Sequence, residues 1–185
     1  MKRVIAVAQT AAVLGAAALA GCAGHATYKP PAAKLLRPAT STSYFVVPTP
    51  TPTSGMDWAM TMDGDHAKLA YGPAQAGDAR LTLACAKGSG KLSMSRMVPA
   101  EQAATPAVLS LASGSARGHW LATATPAADQ AGKTELKVET STSDPAIDAF
   151  QRNGWVAAIL SDGKTEGMAP HPGDTSVRRF FDFCG

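Results

Sequence analysis

"DARLTLACAKGSGKLSMSRM", residues 78–97, sets how the rest of the chain is read. Leu81, Leu83 and Cys85 alternate with Arg80, Thr82 and Ala84, a period of two that puts the first set on the inward face of a strand and the second on its outer face. "KGSG" at 87–90 turns the chain, and "KLSMSRM" returns with Leu92 and Met94 inward. Upstream, "MDWAMTMD" at 56–63 aligns Met56, Trp58, Met60 and Met62 on one face against Asp57, Ala59 and Thr61 on the other. "DGDH" at 63–66 then supplies a hairpin turn, and "AKLAYGP" returns. These runs predict an antiparallel β-meander. A methionine stripe can bind soft metals, but a period of two around one tryptophan is what a half-buried strand needs, so we read it as core packing.

Beyond the meander, "AVLSLASG" and "ARGHWLATATP" suit strands, since Trp120, Thr123 and Thr125 favour a pleated surface. The alternative is a partly helical connection beginning at "PAEQAATPA". "KTELKVETSTS" alternates Leu136 and Val138 with Lys137 and Glu139. "DPAIDAFQRNG" predicts a short helix: Asp144 at the N-cap, Pro145 at the first helical position, Ile147 and Phe150 spaced three apart, and Gly154 closing it. "WVAAIL" has no polar face and reads as a strand buried on both sides, followed by the turn "SDGKTEG". In "GDTSVRRFFDFCG", Val177, Phe180, Phe181 and Cys184 fall at i, i+3, i+4 and i+7, one inward stripe of a helix that Asp174 or Thr175 can cap. The expected fold class is mainly β: an antiparallel β-sandwich or partly open barrel of about seven to eight strands, with a short helix and a C-terminal helix.

The N-terminal stretch has a different texture. Lys2 and Arg3 precede an apolar run from Val4 to Ala20 that ends in Leu19, Ala20, Gly21 and Cys22, the layout of a secretory signal. "LAGC" resembles the lipobox of bacterial lipoproteins, in which the cysteine receives a diacylglycerol and becomes the acylated first residue after cleavage. A permanent membrane span is the competing reading, against which stand the alanine-rich composition and the interruption by Gln9 and Thr10. A second is a buried or paired Cys22, for which the Gly and Ala neighbours offer no strand or helix pattern. The resemblance implies a signal peptide at 1–21, a lipidated tether at 22–55, and a β-rich domain at 56–185. It also implies a bacterial envelope protein, lipid-anchored and periplasm-facing. Ala23 stands where lipoproteins of enteric type retained in the inner membrane carry Asp, which by the same resemblance implies the outer membrane.

Removing 1–21 takes Lys2 and Arg3 with it, leaving 15 basic side chains against 14 acidic. The remaining chain has no Lys/Arg cluster and no aromatic-basic stripe to follow a phosphate backbone, so nucleic acid is not an expected partner. From Ala23 to Gly55 the chain holds Lys29, Lys34 and Arg37 with no acid, then "TSTS" and "PTPTPTS". Alternating proline favours an extended polyproline II spacer able to hold the domain many tens of ångströms from a membrane, at roughly 3.1 Å per residue. The three charges suit anionic head groups as well as they suit simple solubility. "SYFVV" at 43–47 is too apolar for pure linker and is expected to pair as an edge strand or dock on the domain.

Three cysteines in one chain leave one unpaired. With Cys22 assigned to lipid, Cys85 and Cys184 remain, both inward and both in an exported domain. A Cys85–Cys184 disulfide is the expected consequence, closing a loop of about 100 residues, with two free buried thiols as the alternative.

Motifs for chemistry fail on spacing. "GKT" occurs at 132–134 and 163–165, but Ala127 and Ala158 stand where a phosphate loop needs glycine, so both read as turn-to-strand junctions. Ser161 and Lys164 match S-x-x-K without the helix start and partner motifs that nucleophile requires. His25, His66, His119 and His171 share no ligand spacing. Asp63, Asp65 and His66 meet Ala67 where a calcium loop needs another oxygen donor. No catalytic residue, metal or cofactor is expected.

The series Trp58, "LAYG" at 69–72, "LTLAC" at 81–85 and "GSG" at 88–90, with the closing "F…G…FF…C", resembles uncharacterised exported proteins and lipoproteins of proteobacteria. More loosely, the Trp strand and terminal helix resemble the invasion-associated B proteins, which are secreted β-sandwiches. The resemblance implies a fold and a location, and it brings no reaction. Three functions are therefore expected in order: a non-catalytic envelope lipoprotein whose β domain binds a protein or cell-wall partner, a small-ligand or lipid-binding module, and a hydrolase built on His119 or His66.

Overall fold

A computed structural model describes residues 46–73, 78–128 and 130–185. The signal segment, Cys22, His25 and the basic residues of the tether lie outside them.

Among the described residues ten strands form two antiparallel sheets. The larger contains β1 (Met56–Asp63), β2 (His66–Pro73), β3 (Leu81–Ala86), β4 (Lys91–Pro99), β7 (Thr123–Pro126) and β8 (Lys133–Ser141), in the order β1-β2-β3-β4-β8-β7. The smaller contains β5 (Val108–Ser113), β6 (Ala116–Leu121), β9 (Val156–Ile159) and β10 (Thr165–Met168), in the order β10-β9-β5-β6. Two helices complete the fold, α1 (Pro145–Asn153) and α2 (Ser176–Cys184). The expectation of a β-sandwich with a short and a terminal helix holds, and the sheets do not close into a barrel.

There are more strands than the seven to eight expected, for two local reasons. "ARGHWLATATP" is two strands: Ala122 leaves the ladder, its N–H bonding Ala107 O at 2.9 Å, and the chain crosses from the small sheet to the large one. "SDGKTEG" holds a turn around Gly163 and then the short β10, paired to β9 from Thr165↔Ile159 to Met168↔Val156.

The alternation places the core. Leu69, Leu81, Leu83, Leu92 and Met94 of the large sheet face Leu109, Leu111, Val156 and Met168 of the small one, all buried. "WVAAIL" is buried on both faces, as its lack of polar residues requires: Val156 and Ala158 join the main core, while Trp155 and Ala157 face a smaller cluster on the other side. Met62 departs from the expected stripe. Met56 and Met60 pack against the core, but Met62 is 57 % exposed. It ends an edge strand at the hairpin tip, beyond the reach of the opposing layer.

α1 carries the caps its sequence predicts. Asp144 Oδ1 accepts from Ala146 N–H at 2.9 Å, and Gly154 ends the helix at φ +76°, donating to Phe150 O. The other oxygen of Asp144 accepts from the Trp120 indole N–H at 3.3 Å, tying α1 to β6. On α2, Thr175 occupies the N-cap position without a side-chain bond. Asp174 Oδ1 supplies the capping acceptor instead, to Ser176 N–H at 2.8 Å. Val177, Phe180, Phe181 and Cys184 are buried as their spacing predicts.

The C-terminus of α2 is closed by the turn that follows Cys85. Gly88 N–H donates to Phe183 O at 2.9 Å and Gly90 N–H to Cys184 O at 2.8 Å, so two carbonyls that a helix end leaves orphaned find partners there. Both glycines sit at positive φ, +61° and +63°, where a side chain would strain the turn.

Residues 46–55 lie against the small sheet. Val47 is buried among Ala112, Trp155, Ala157 and Ala169, and its N–H donates to Gly114 O at 3.1 Å. Pro50 crosses Gly167 so closely that a Cβ there would fall 2.2 Å from Pro50 Cβ. Thr53 O meets His171 Nε2 at 3.3 Å. Of the two outcomes expected for "SYFVV", its described residues Val46 and Val47 dock rather than pair as a strand; residues 43–45 lie outside the described residues.

Candidate functional site

Cys85, the last inward residue of β3, meets Cys184 at the end of α2. The two form a disulfide with Cα atoms 5.8 Å apart, closing a separation of 99 residues. Both are buried. This is a structural clasp, since its sulfurs face the core.

A polar cluster occupies one end of the space between the sheets. On β4 the inward alternation of Leu92 and Met94 continues to Arg96, which is only 7 % exposed. Its Nη2 donates to Glu166 Oε2 at 2.5 Å, and Glu166 comes from β10 in the opposing sheet. Arg80, just before β3, donates to the other oxygen, Oε1. A run read as outward thus begins with a side chain that is more than half exposed yet bonded across the sandwich. It stands outside the strand's alternation because the ladder begins at Leu81.

Burial pushes the Glu166 carboxyl up, but the hydrogen bonds from Arg80 and Arg96, and their charges, outweigh it and hold the carboxyl below the usual glutamate range. The same carboxylate raises the Arg80 guanidinium, chiefly through its hydrogen bond. Because Glu166 titrates lower in the folded state, its contribution to stability is fully present above the unfolded value and lost as the pH falls through the folded one. Urea denaturation should therefore show the native protein losing more stability between about pH 6 and about pH 3 than Glu166→Gln does. Parallel pH curves for the two would contradict this assignment.

Arg96 lines two clefts. One, of about 470 Å³, also has Asp78, Arg80, Met97, Lys133 and Leu160 in its wall. The other, of about 200 Å³, lies toward Val98, Val108 and Ser110. Near this end the Arg96 Nη1 and the Tyr71 hydroxyl are buried with no hydrogen-bond partner among the described residues. A third concavity, of about 590 Å³, spreads over the outer face of the large sheet, where Ala84, Ala86 and Ser93 form a floor beside Lys68, Lys91 and Glu139.

The residues considered for chemistry are spread apart. Asp63 and His66 are paired across the first hairpin, and among the described residues no three His, Cys, Asp or Glu side chains gather where they could hold a metal. Ser110 Oγ and His119 Nδ1 lie 2.8 Å apart on neighbouring strands, a contact the sequence reading missed because it depends on the β5–β6 register. Among the described residues no carboxylate is hydrogen-bonded to that imidazole. The Lys164 ammonium bonds Asp162 at 2.8 Å within its own turn, not Ser161, and this exposed pair lowers the Asp162 carboxyl. Gly132 and Gly163, which begin the two "GKT" runs, both hold φ +79° at turns into strands. His171 Nε2 contacts Thr53 O of the 46–55 segment.

Arg96 and Glu166 were not singled out in the sequence. Arg96 was within reach, one step further along the alternation of β4; Glu166 was not, because only the pairing of β10 brings it to the opposing sheet. Comparison with known proteins finds no matching protein-family model, no matching curated protein and no matching solved structure.

Proposed function

We propose that this chain is a lipoprotein of the bacterial envelope, anchored through Cys22, whose β-sandwich is a non-catalytic module for binding a protein or cell-wall partner. The observation that carries the reading is the cysteine pairing: Cys85 and Cys184 consume each other, so the odd cysteine is Cys22, which stands at the end of a basic-then-apolar segment in "LAGC". A buried disulfide suits an oxidising compartment, which that segment would reach by export. Residues 46–55, the end of the expected 22–55 tether, pack on the small sheet. Ala23 after the cysteine favours the outer membrane as the location.

Metabolic labelling with a fatty-acid analogue tests the anchor. The native protein should take up label and partition with membranes, and Cys22→Ser should lose the label and be released or left unprocessed. Label retained by the serine variant would sink this reading. A second reading, a small-ligand module, is favoured by the cleft beside Arg96, which opens between the sheets and carries charged walls.

A further inference from the structure

We propose that the Arg80–Glu166–Arg96 cluster is a binding site for a small carboxylate carried on a short apolar body. This gives a ligand class to the small-ligand reading and rests on it, but it is independent of the anchor, so Cys22 labelling and ligand binding can fail separately.

Two guanidinium groups share one carboxylate, so among the described residues one positive charge is in excess at this end of the sandwich. The nearby Lys133 and Asp78 pair with each other at 3.5 Å and cancel. An uncompensated charge on a side chain as deeply placed as Arg96 is costly, and a monoanion relieves that cost. The Arg96 side chain is 8 % exposed, and its Nη1 is buried without a partner while Nη2 serves Glu166. The Tyr71 hydroxyl is a second buried donor without an acceptor among the described residues, and the Arg80 backbone N–H donates to the Tyr71 carbonyl at 2.8 Å.

The planar guanidinium fork matches the two oxygens of a carboxylate better than it matches a spherical ion. The cleft of about 470 Å³ has the size of a small-ligand site, and Met97, Pro99 and Leu160 in its wall suit an aliphatic body. Nη1 is closed to solvent, so a ligand reaches it only as side chains of the cleft wall give way. That rearrangement, and the small size of the probe, set the expected dissociation constant on the order of millimolar.

The test is a titration of the purified protein with sodium butyrate, following the arginine side-chain N–H signals by NMR, with butyramide and sodium chloride as controls at matched ionic strength. Butyrate should shift the Arg80 and Arg96 signals saturably, and the controls should not. Glu166→Gln removes the competing carboxylate and should tighten butyrate by at least about threefold. Arg96→Gln should abolish binding. Arg80→Gln alters an exposed side chain and should weaken binding without unfolding the protein, so it carries the test should Arg96→Gln fail to fold. A merely structural ion cluster would not respond in opposite directions to losing its acid and losing a base. Absence of saturable shifts in both the native protein and Glu166→Gln would overturn the proposal, as would equal shifts with butyramide or chloride.

Discussion

Replacing Cys85 and Cys184 together by alanine is expected to remove about 2 to 5 kcal/mol of folding stability, the range for a native disulfide in a small domain. The bridge spans 99 residues, and the chain-entropy treatment for a loop of about 100 gives roughly 4.7 kcal/mol, with the observed loss falling below this to the extent that the open chain retains structure. The local consequence follows from what the bridge joins. α2 has nine residues, too few to persist alone, and its last carbonyls depend on Gly88 and Gly90 of the turn that follows Cys85. Without the bridge, those two hydrogen bonds and the Val177–Phe180–Phe181 stripe must hold the helix unaided. Urea denaturation should give the global loss, and limited proteolysis should cut first in the C-terminal segment. A double variant as stable as the native protein, or one whose first cut falls elsewhere, would contradict the clasp. So would two free thiols in unreduced protein taken from its native compartment.

What could be read from the sequence was what depends on near neighbours. Period-two alternation located the inward residues of β3, β4 and β8, and the i, i+3, i+4, i+7 stripe located those of α2, because side-chain direction is fixed by local backbone geometry. The Asp144 cap and Gly154 stop are equally local. Pairing across the sandwich was not legible. Glu166 meets Arg96 only because β10 lies where the opposing sheet can reach it, and Ser110 meets His119 only through the register of β5 against β6. Val47 is a similar case: its apolar character marked it as something other than linker, while the pocket that receives it is assembled from β5, β9 and the segment after β10. Met62 shows the opposite limit, a residue in phase with the core stripe but past the end of the layer that would cover it. Of the site residues, the Cys85–Cys184 clasp was legible, because local periodicity turns both cysteines inward.

Phe150→Ala is expected to cost about 3 to 5 kcal/mol, the range for removing a fully buried aromatic ring. Phe150 is fully buried on the inward face of α1, and its ring lies 5.1 Å from Trp58 of β1 and 5.4 Å from Phe181 of α2 by centroid. Three elements distant in sequence therefore meet on one side chain. Trp58 continues the chain of rings to Tyr71 at 5.1 Å, and Phe181 continues it to Phe180 at 5.4 Å. Truncation removes the transfer free energy of the ring, leaves a cavity that two helices and an edge strand cannot close without shifting, and forfeits the edge-on contact with Phe181. Domains of this size are stable by about 5 to 15 kcal/mol, so the variant should be marginal at room temperature. Leu121→Ala is the control: that residue is 77 % exposed and should change stability by no more than about 0.5 kcal/mol. Urea denaturation of both variants makes the comparison, and Trp58 fluorescence reports the local event, with a red shift expected as water enters the space the ring leaves. A loss below about 1 kcal/mol for Phe150→Ala would mean that the two helices and β1 are held by the disulfide and the sheet ladders rather than by this aromatic chain.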